Sequence, residues 1–385
     1  MVMIYIFTSL IEDRRKILQQ ARKEVAREAS GKKATPTYSV DQLLDKAEEC
    51  IDRFEYEVAQ KFCQRALEQE ADNVRALETS GNLLLELGNN EAAKQCFGRA
   101  VEVSQDVGYS KYMTLGQLME GSHAVQCFQK GIELMVAERE KQSAQELSAA
   151  CGDHEEDAVS DKDISNAYCA VAEIYMTDLC FEEEAEVKCE NAIKEAIKAD
   201  SNNSEALQLM ASFYLSKEKK EDAKEMIVKS VSLWLSKIKA MEKGEITDKD
   251  AESVEDCIPG YDSRLSAAKI LIEVEEFETS IDVLECLLDE NEDIPQVWYT
   301  IGWANYLQGE DYKANARFYL NKCKKIYTKV KCEDGELLKH VEELLLELGP
   351  GDEDDDEEGG DVVGEDGADL DIDSDNESET ENMEH

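Results

Sequence analysis

Small and large apolar residues recur along the chain with a period of 34 positions. Two antiparallel helices can cross closely only where small residues lie, and a large side chain one turn later fills the space between them. Two consecutive segments place the order small, large, small 34 residues apart: Ala59, Cys63 and Ala66, then Ala93, Phe97 and Ala100. This spacing predicts helical hairpins that stack along the chain.

The same pattern resembles the tetratricopeptide repeat. The best single match is VWYTIGWANYLQGEDYKANARFYL, in which Trp298, Ile301, Gly302, Gly309, Ala314 and Phe318 take the family's consensus positions. Seven candidate repeats can be aligned, and the third, YMTLGQLMEGSHAVQCFQKGIELM, is about one helical turn short between its halves. The resemblance implies an all-α solenoid that spans residues 38–349.

Several segments interrupt the repeats or flank them. Acidic stretches near 137–163 and 240–258 contain few apolar residues, so we expect surface loops or frayed helix extensions there. The segment GELLKHVEELLLELGP places leucines on one stripe and predicts an amphipathic helix that caps the last repeat. Residues 1–37 form a basic, partly helical or disordered segment, and 350–385 predict a disordered acidic tail.

Charge limits the classes of partner. The formal net charge is −46, and the acidic excess extends through the repeats as well as the tail. Such a field repels phosphate backbones and anionic lipids, so we expect a basic protein partner and no direct contact with nucleic acid or membrane. The opening MVMIYIFTSLI is too short to span a bilayer, and we expect its exact start to be unimportant or wrongly assigned.

The pattern of reactive residues argues against an enzyme. The four histidines are scattered, no glycine-rich phosphate loop is present, and the 12 cysteines include no CxxC pair. Without a convincing export signal, the cysteines are expected to be reduced thiols and core residues. The sequence therefore predicts no catalytic residue, metal site or cofactor. It also predicts a location in the cytoplasm and nucleus, since Arg14, Arg15 and Lys16 could form a nuclear-import signal.

The first helix of each repeat is expected to line a groove that binds the partner. An exposed aromatic stripe lowers solubility unless a partner covers it, and aromatic residues often anchor interfaces. The predicted groove residues are Tyr299, Trp303 and Tyr306 in the last repeat, and Glu48, Glu78, Asn82, Met113, Gln117, Glu120 and Glu173 in earlier repeats. Ordinary solvent-exposed helix residues are the alternative interpretation of these positions.

A second, more specific resemblance concerns function. Some tetratricopeptide proteins clamp the acidic tails of heat-shock chaperones with Lys and Asn, but Leu44 and Glu48 stand at those positions here. The irregular third repeat, the seven repeats and the acidic C-terminus instead resemble the dedicated assembly chaperones of large-subunit ribosomal protein L-four. This resemblance implies a non-enzymatic escort that protects a new basic protein from aggregation and RNA and delivers it for large-subunit assembly.

The charge argument alone leaves other clients open. Histones or another basic ligand satisfy the same electrostatics, and a general scaffold or adaptor in a multiprotein complex is the main alternative. For the escort, we expect a monomeric protein that forms a one-to-one complex with its client.

Overall fold

The computed structural model describes residues 38–148, 158–244 and 257–350, and every regular element in those ranges is helical. The contacts divide the chain into two compact units, residues 1–209 and 210–385. The predicted N-terminal segment 1–37, the acidic tail from residue 351, and parts of both predicted insertions, 149–157 and 245–256, lie outside the described residues.

The helices of the first unit form consecutive antiparallel hairpins. They are α1 (Val40–Asp52), α2 (Tyr56–Gln69), α3 (Val74–Glu86), α4 (Asn90–Val103), α5 (Ser110–Leu118), α6 (Gly121–Ser148), α7 (Asp161–Met176) and α8 (Ala185–Ala199). Odd-numbered members are the first helices of their repeats. The next helix, α9 (Ser204–Ser216), contains the division between the units.

The second unit continues with helices of the same kind. They are α10 (Lys220–Ser232), α11 (Leu235–Glu242), α12 (Tyr261–Glu273), α13 (Phe277–Glu290), α14 (Pro295–Gln308), a 3-10 turn (Glu310–Tyr312), α15 (Lys313–Val330) and α16 (Gly335–Leu348). The all-α tetratricopeptide fold predicted from the sequence is confirmed.

Local sequence explains where several of these helices begin. Ser39 accepts a hydrogen bond from the backbone of Gln42, whose side chain bonds back to Ser39. Ser160 and Asp163 form the same reciprocal cap at the start of α7. These capping boxes satisfy backbone N–H groups that the first turn of a helix leaves without partners.

The 34-residue period corresponds to the buried seam of the hairpins. The six residues that define it are at most 2% exposed. A Cβ atom at Gly81 in α3 would lie 2.7 Å from the Phe97 ring in α4, and one at Gly116 in α5 would lie 2.8 Å from Phe128 in α6. A phenylalanine ring thus packs against a glycine backbone in both the α3–α4 and the α5–α6 hairpin. The shorter sequence separation in the second pair is the missing helical turn that the sequence indicated.

One predicted register in the last repeat is wrong. Ala314 is exposed and Phe318 is only half-buried, whereas Ala316 and Leu320 are fully buried. Leu320 takes the position of the large residue, since a Cβ atom at Gly302 would lie 2.8 Å from it. The 3-10 turn at Glu310–Tyr312 lengthens the connection between α14 and α15, and this shifts the buried positions by two residues.

The cysteines follow the expectation only in part. Cys63 and Cys189 are buried, whereas Cys96 and Cys127 are half-buried beside the core. All the cysteines in the described part of the chain are free thiols. Burial raises the pKa of Cys189 to about 11, so this thiol is protonated and acts as a small apolar residue.

Candidate functional site

The first helices of the initial repeats carry acidic side chains that are already paired. Arg75 in α3 places one guanidinium nitrogen 2.7 Å from Glu48 and 2.8 Å from Asp45, both in α1. Hydrogen bonds raise the pKa of Arg75, with the larger effect from Glu48 and the smaller one from Asp45. Glu48 therefore has a cationic partner within the chain, although it shares Arg75 with Asp45.

Glu78 also has a cation of its own. Lys111, at the start of α5, is fully buried, and its ammonium lies 3.8 Å from the Glu78 carboxylate. That ammonium also donates a hydrogen bond to the backbone carbonyl of Val107. Burial raises the pKa of Glu78, and the charge of Lys111 partly opposes this effect. This pair joins the second repeat to the irregular third repeat.

The remaining polar candidates of these repeats are open to solvent. Asn82 is exposed on α3, and Glu120 is exposed in the turn between α5 and α6. Gln117 is exposed near the end of α5, and Met113 is half-buried one turn before it. These two α5 residues lie on the same side of the helix because they are four positions apart.

A cleft separates α5 from α7, and we call it the α5–α7 cleft. It consists of two adjoining cavities of about 550 Å³ each, and both are lined by Gln117, Phe128 and Ala170. Met113 lines the first cavity, and Glu173 and Met176 line the second. Volumes of this size are typical of ligand sites. The structure thus brings three predicted residues, Met113, Gln117 and Glu173, into the walls of one cleft.

Glu173 differs from the other acidic candidates in the cleft region. Loss of surrounding water raises its pKa, and the nearby Glu205 raises it further. Within the described ranges, no lysine or arginine forms a salt bridge with Glu173. The residue as a whole is exposed to solvent, but its carboxylate borders the apolar lining of the second cavity, and none of the described cations compensates its charge there.

The aromatic residues of the last repeat do not form the exposed stripe that the sequence suggested. Tyr299, Trp303 and Tyr306 are half-buried, and the side chains of α16 pack against them. The Tyr299 hydroxyl lies 2.8 Å from Nδ1 of His340 in α16. The ring centroids of Trp303 and His340 are 5.3 Å apart. We call these four residues the aromatic cluster.

Polar and stacking contacts complete the cover of the aromatic cluster. Trp303 and Tyr306 stack with centroids 5.4 Å apart, and a hydrogen bond to Glu347 raises the pKa of Tyr306. The sequence predicted that α16 caps the last repeat, and in the structure its residues Val341, Leu344 and Leu348 are buried against α15. The sequence analysis missed that the same helix also covers the aromatic rings.

The sequence contains a signal for the α7 wall of the cleft, which the sequence analysis recognised only at Glu173. Asn166, Ala170 and Glu173 follow one another at spacings of four and three residues, and such spacings place side chains on one face of a helix. Ala170 is the small member that leaves space beside Phe128. No comparable signal identified Lys111 or His340 as partners, because their contacts join residues far apart in sequence.

In residues 38–148, 158–244 and 257–350, no group of three or more His, Cys, Asp or Glu residues is placed to hold a metal ion. Within the same ranges, no helix has the length and apolar character needed to cross a membrane.

Comparisons with known proteins agree with the fold. A family model described as "Tetratricopeptide repeat" matches residues 74–107, the second hairpin and the start of the loop after it. The protein is also similar to a solved structure titled "Assembly Chaperone of RpL4 (Acl4)". The alignment covers 72% of this chain and all of the solved chain, with a TM-score of 0.62 and 29% identity.

Curated relatives extend the similarity over most of the chain. The "Probable assembly chaperone of rpl4" of Schizosaccharomyces pombe is 32% identical over 290 residues, which cover 70% of this chain and 79% of the relative. A protein of the same name from Emericella nidulans is 26% identical over 352 residues, which cover 81% of this chain and 83% of the relative. The chain therefore belongs to the family of assembly chaperones of rpl4, which are tetratricopeptide-repeat proteins and not an enzyme class.

Proposed function

We propose that this protein binds a newly made, highly basic ribosomal protein of the large-subunit L-four type and delivers it for ribosome assembly. The α5–α7 cleft carries this proposal, because it is an open and partly apolar site with an unpaired carboxylate in its wall. The family relationship supports the choice of client, since the relatives are named assembly chaperones of rpl4.

The electrostatics explain how such a protein protects its client. A net charge of −46 attracts lysine- and arginine-rich segments and repels RNA. Each client cation that pairs with a carboxylate is lost as a contact for an RNA phosphate. The client is therefore kept soluble and away from RNA while it moves from the cytoplasm to the nucleus.

The first-helix face of the first unit has graded roles in this proposal. Glu48 and Glu78 have partners in the chain and set the shape of the face, whereas Glu120 and Glu173 are available for client cations. Gln117 and Met113 supply a polar and an apolar contact at the cleft. The acidic C-terminal segment 350–385 speeds capture through long-range attraction.

A direct binding experiment tests the proposal. The purified full-length protein is mixed with ribosomal protein L-four, and with core histones as a basic control, and the mass of each complex is measured by light scattering after gel filtration. We expect a one-to-one complex with the ribosomal protein that resists added RNA and weakens as salt rises. Equal binding of histones, or release of the client by RNA, would contradict the proposal.

A further inference from the structure

The two cavities of the α5–α7 cleft share one wall and differ in their polar groups. Phe128, Ala170 and Gln117 border both cavities, so a side chain that enters one cavity contacts the same wall as a side chain in the other. Asp163 lines the first cavity, but its carboxylate accepts hydrogen bonds from the backbone and hydroxyl of Ser160. Glu173 lines the second cavity and has no comparable capping role.

The apolar part of the second cavity can adapt to a guest. Met119, Met176 and Ile174 line it together with Leu209. Methionine side chains are unbranched and flexible, so they adjust to an inserted chain at small cost. A long aliphatic stem could therefore bury itself along this wall without a single fixed shape.

Among the residues that the structure describes, no cation pairs with the acidic part of the cavity. The carboxylates of Glu48 and Glu78 have Arg75 and Lys111 as partners, whereas Glu173 has a second acid, Glu205, as its neighbour. Two carboxylates near an apolar wall repel each other, and a cation placed between them removes this repulsion. The site is thus incomplete in the free protein.

We propose that the Glu173 side of the α5–α7 cleft binds one arginine or lysine side chain of the client, with its aliphatic stem against Met176 and Ile174 and its charged head at Glu173. This inference rests on the proposed function and assigns one anchor within it. An acidic guest would add a further repulsive charge. An apolar guest would remove water from Glu173 without supplying a cation. Arginine and lysine combine an apolar stem with a cationic head, so they match both parts of the cavity.

Variants of two independent kinds test the anchor. Glu173→Gln removes the charge and retains nearly the same volume, and Ala170→Leu fills the shared wall without altering charge. Glu173→Asp keeps the charge and should restore part of the affinity. Glu91→Gln is the control for loss of a carboxylate away from the cleft, because Glu91 is an exposed acid on α4, a second helix, where it pairs with Lys94. The dissociation constant for full-length ribosomal protein L-four is measured by titration calorimetry with each full-length variant.

The outcomes separate this inference from the proposed function. We expect Glu173→Gln to weaken binding about tenfold, because the client cation loses its partner. Ala170→Leu should weaken binding about tenfold as well, because it fills the space that the client side chain enters. Glu91→Gln should bind as the unaltered protein does. If the unaltered protein binds the ribosomal protein but both cleft variants bind equally well, the anchor is wrong and the proposed function stands. If the unaltered protein does not bind at all, the proposed function itself fails.

A second measurement identifies the guest. A photo-reactive amino acid replaces Thr177, which lines the same cavity, and the cross-linked client residue is located by mass spectrometry. In the expected product, position 177 is cross-linked to a client residue that lies next to an arginine or lysine. Cross-links confined to apolar or acidic segments of the client would overturn the assignment.

Discussion

The α5–α7 cleft and the aromatic cluster occupy equivalent faces of two repeats, but only the cleft is open. In the last repeat, α16 lies over Tyr299, Trp303 and Tyr306 and supplies His340 as a partner. In the third repeat, Gln117 lines both open cavities of the cleft. The aromatic residues therefore contribute to the packing of the second unit, whereas the groups that line the cleft stay open to solvent.

The same contrast applies to charge. In the aromatic cluster, two tyrosine hydroxyls have partners within the chain: that of Tyr299 contacts His340, and that of Tyr306 contacts Glu347. In the cleft, the charged neighbour of Glu173 among the described residues is a second carboxylate, that of Glu205. A site whose groups already have partners contributes to stability, whereas a site that lacks a countercharge has free energy to gain from a ligand.

The largest expected effect lies in α16. Leu344→Ala should lower the free energy of unfolding by about 2–5 kcal/mol, because it leaves a cavity in the core beside Leu320. Thermal or chemical denaturation measures this loss. Leu346→Ala is the control on the same helix, since Leu346 is 84% exposed and should change little. At temperatures where Leu344→Ala remains folded, its affinity for the client should equal that of the unaltered protein. A large loss of affinity there would indicate that the aromatic cluster is part of the client-binding site.

A pair of matched glycine variants compares packing in the two regions. Gly302→Ala should cost about 1–3 kcal/mol, because its Cβ would lie 2.8 Å from the fully buried Leu320. Gly116→Ala places a Cβ 2.8 Å from Phe128, whose ring borders the open cleft and has space to move. Its cost should be smaller, since alanine also favours the helix by about 1 kcal/mol. Equal costs in denaturation experiments would mean that the cleft wall is as rigid as the core.

The smallest expected effect concerns how the free energy of unfolding of the free protein depends on pH. The pKa of Glu173 is raised in the folded state, so the folded state retains a proton that the unfolded state has lost. Stability therefore falls as pH rises from the ordinary glutamate pKa through the raised pKa of the folded state. Glu173→Gln should remove this fall and raise stability at neutral pH by less than about 1 kcal/mol.

Denaturation of both forms across this pH range checks the sign. Because the same variant is expected to weaken client binding, stability and affinity should change in opposite directions. A variant that loses both would indicate that Glu173 has a structural role and does not bind the client.

The sequence predicted the elements that depend on local spacing. The hairpins, the irregular third repeat and the capping helix follow from periodic apolar residues such as Phe97 and Leu344, whose neighbours lie at fixed intervals. The register of the last repeat failed at Ala314, because nothing in the pattern revealed the longer 3-10 connection. The cover over Trp303 also escaped prediction, since it depends on where a later helix docks.

The candidate site was predictable to a similar degree. Helical spacing placed Met113, Gln117 and Glu173 on the first helices of their repeats, and the structure brings them into the walls of one cleft. Spacing could not distinguish Glu173 from Glu48 and Glu78, because the countercharges come from other helices. The partner of a charged side chain is a property of the tertiary structure.

Hydrogen exchange of the full-length protein, with and without ribosomal protein L-four, tests the difference between the two regions most directly. We predict that client binding slows amide exchange in α5 and α7 and leaves α14 and α16 unchanged, because the cleft is open and the aromatic cluster is already covered. Slower exchange in α14, or faster exchange in α16 as the client displaces it, together with no change at α5 and α7, would contradict the account.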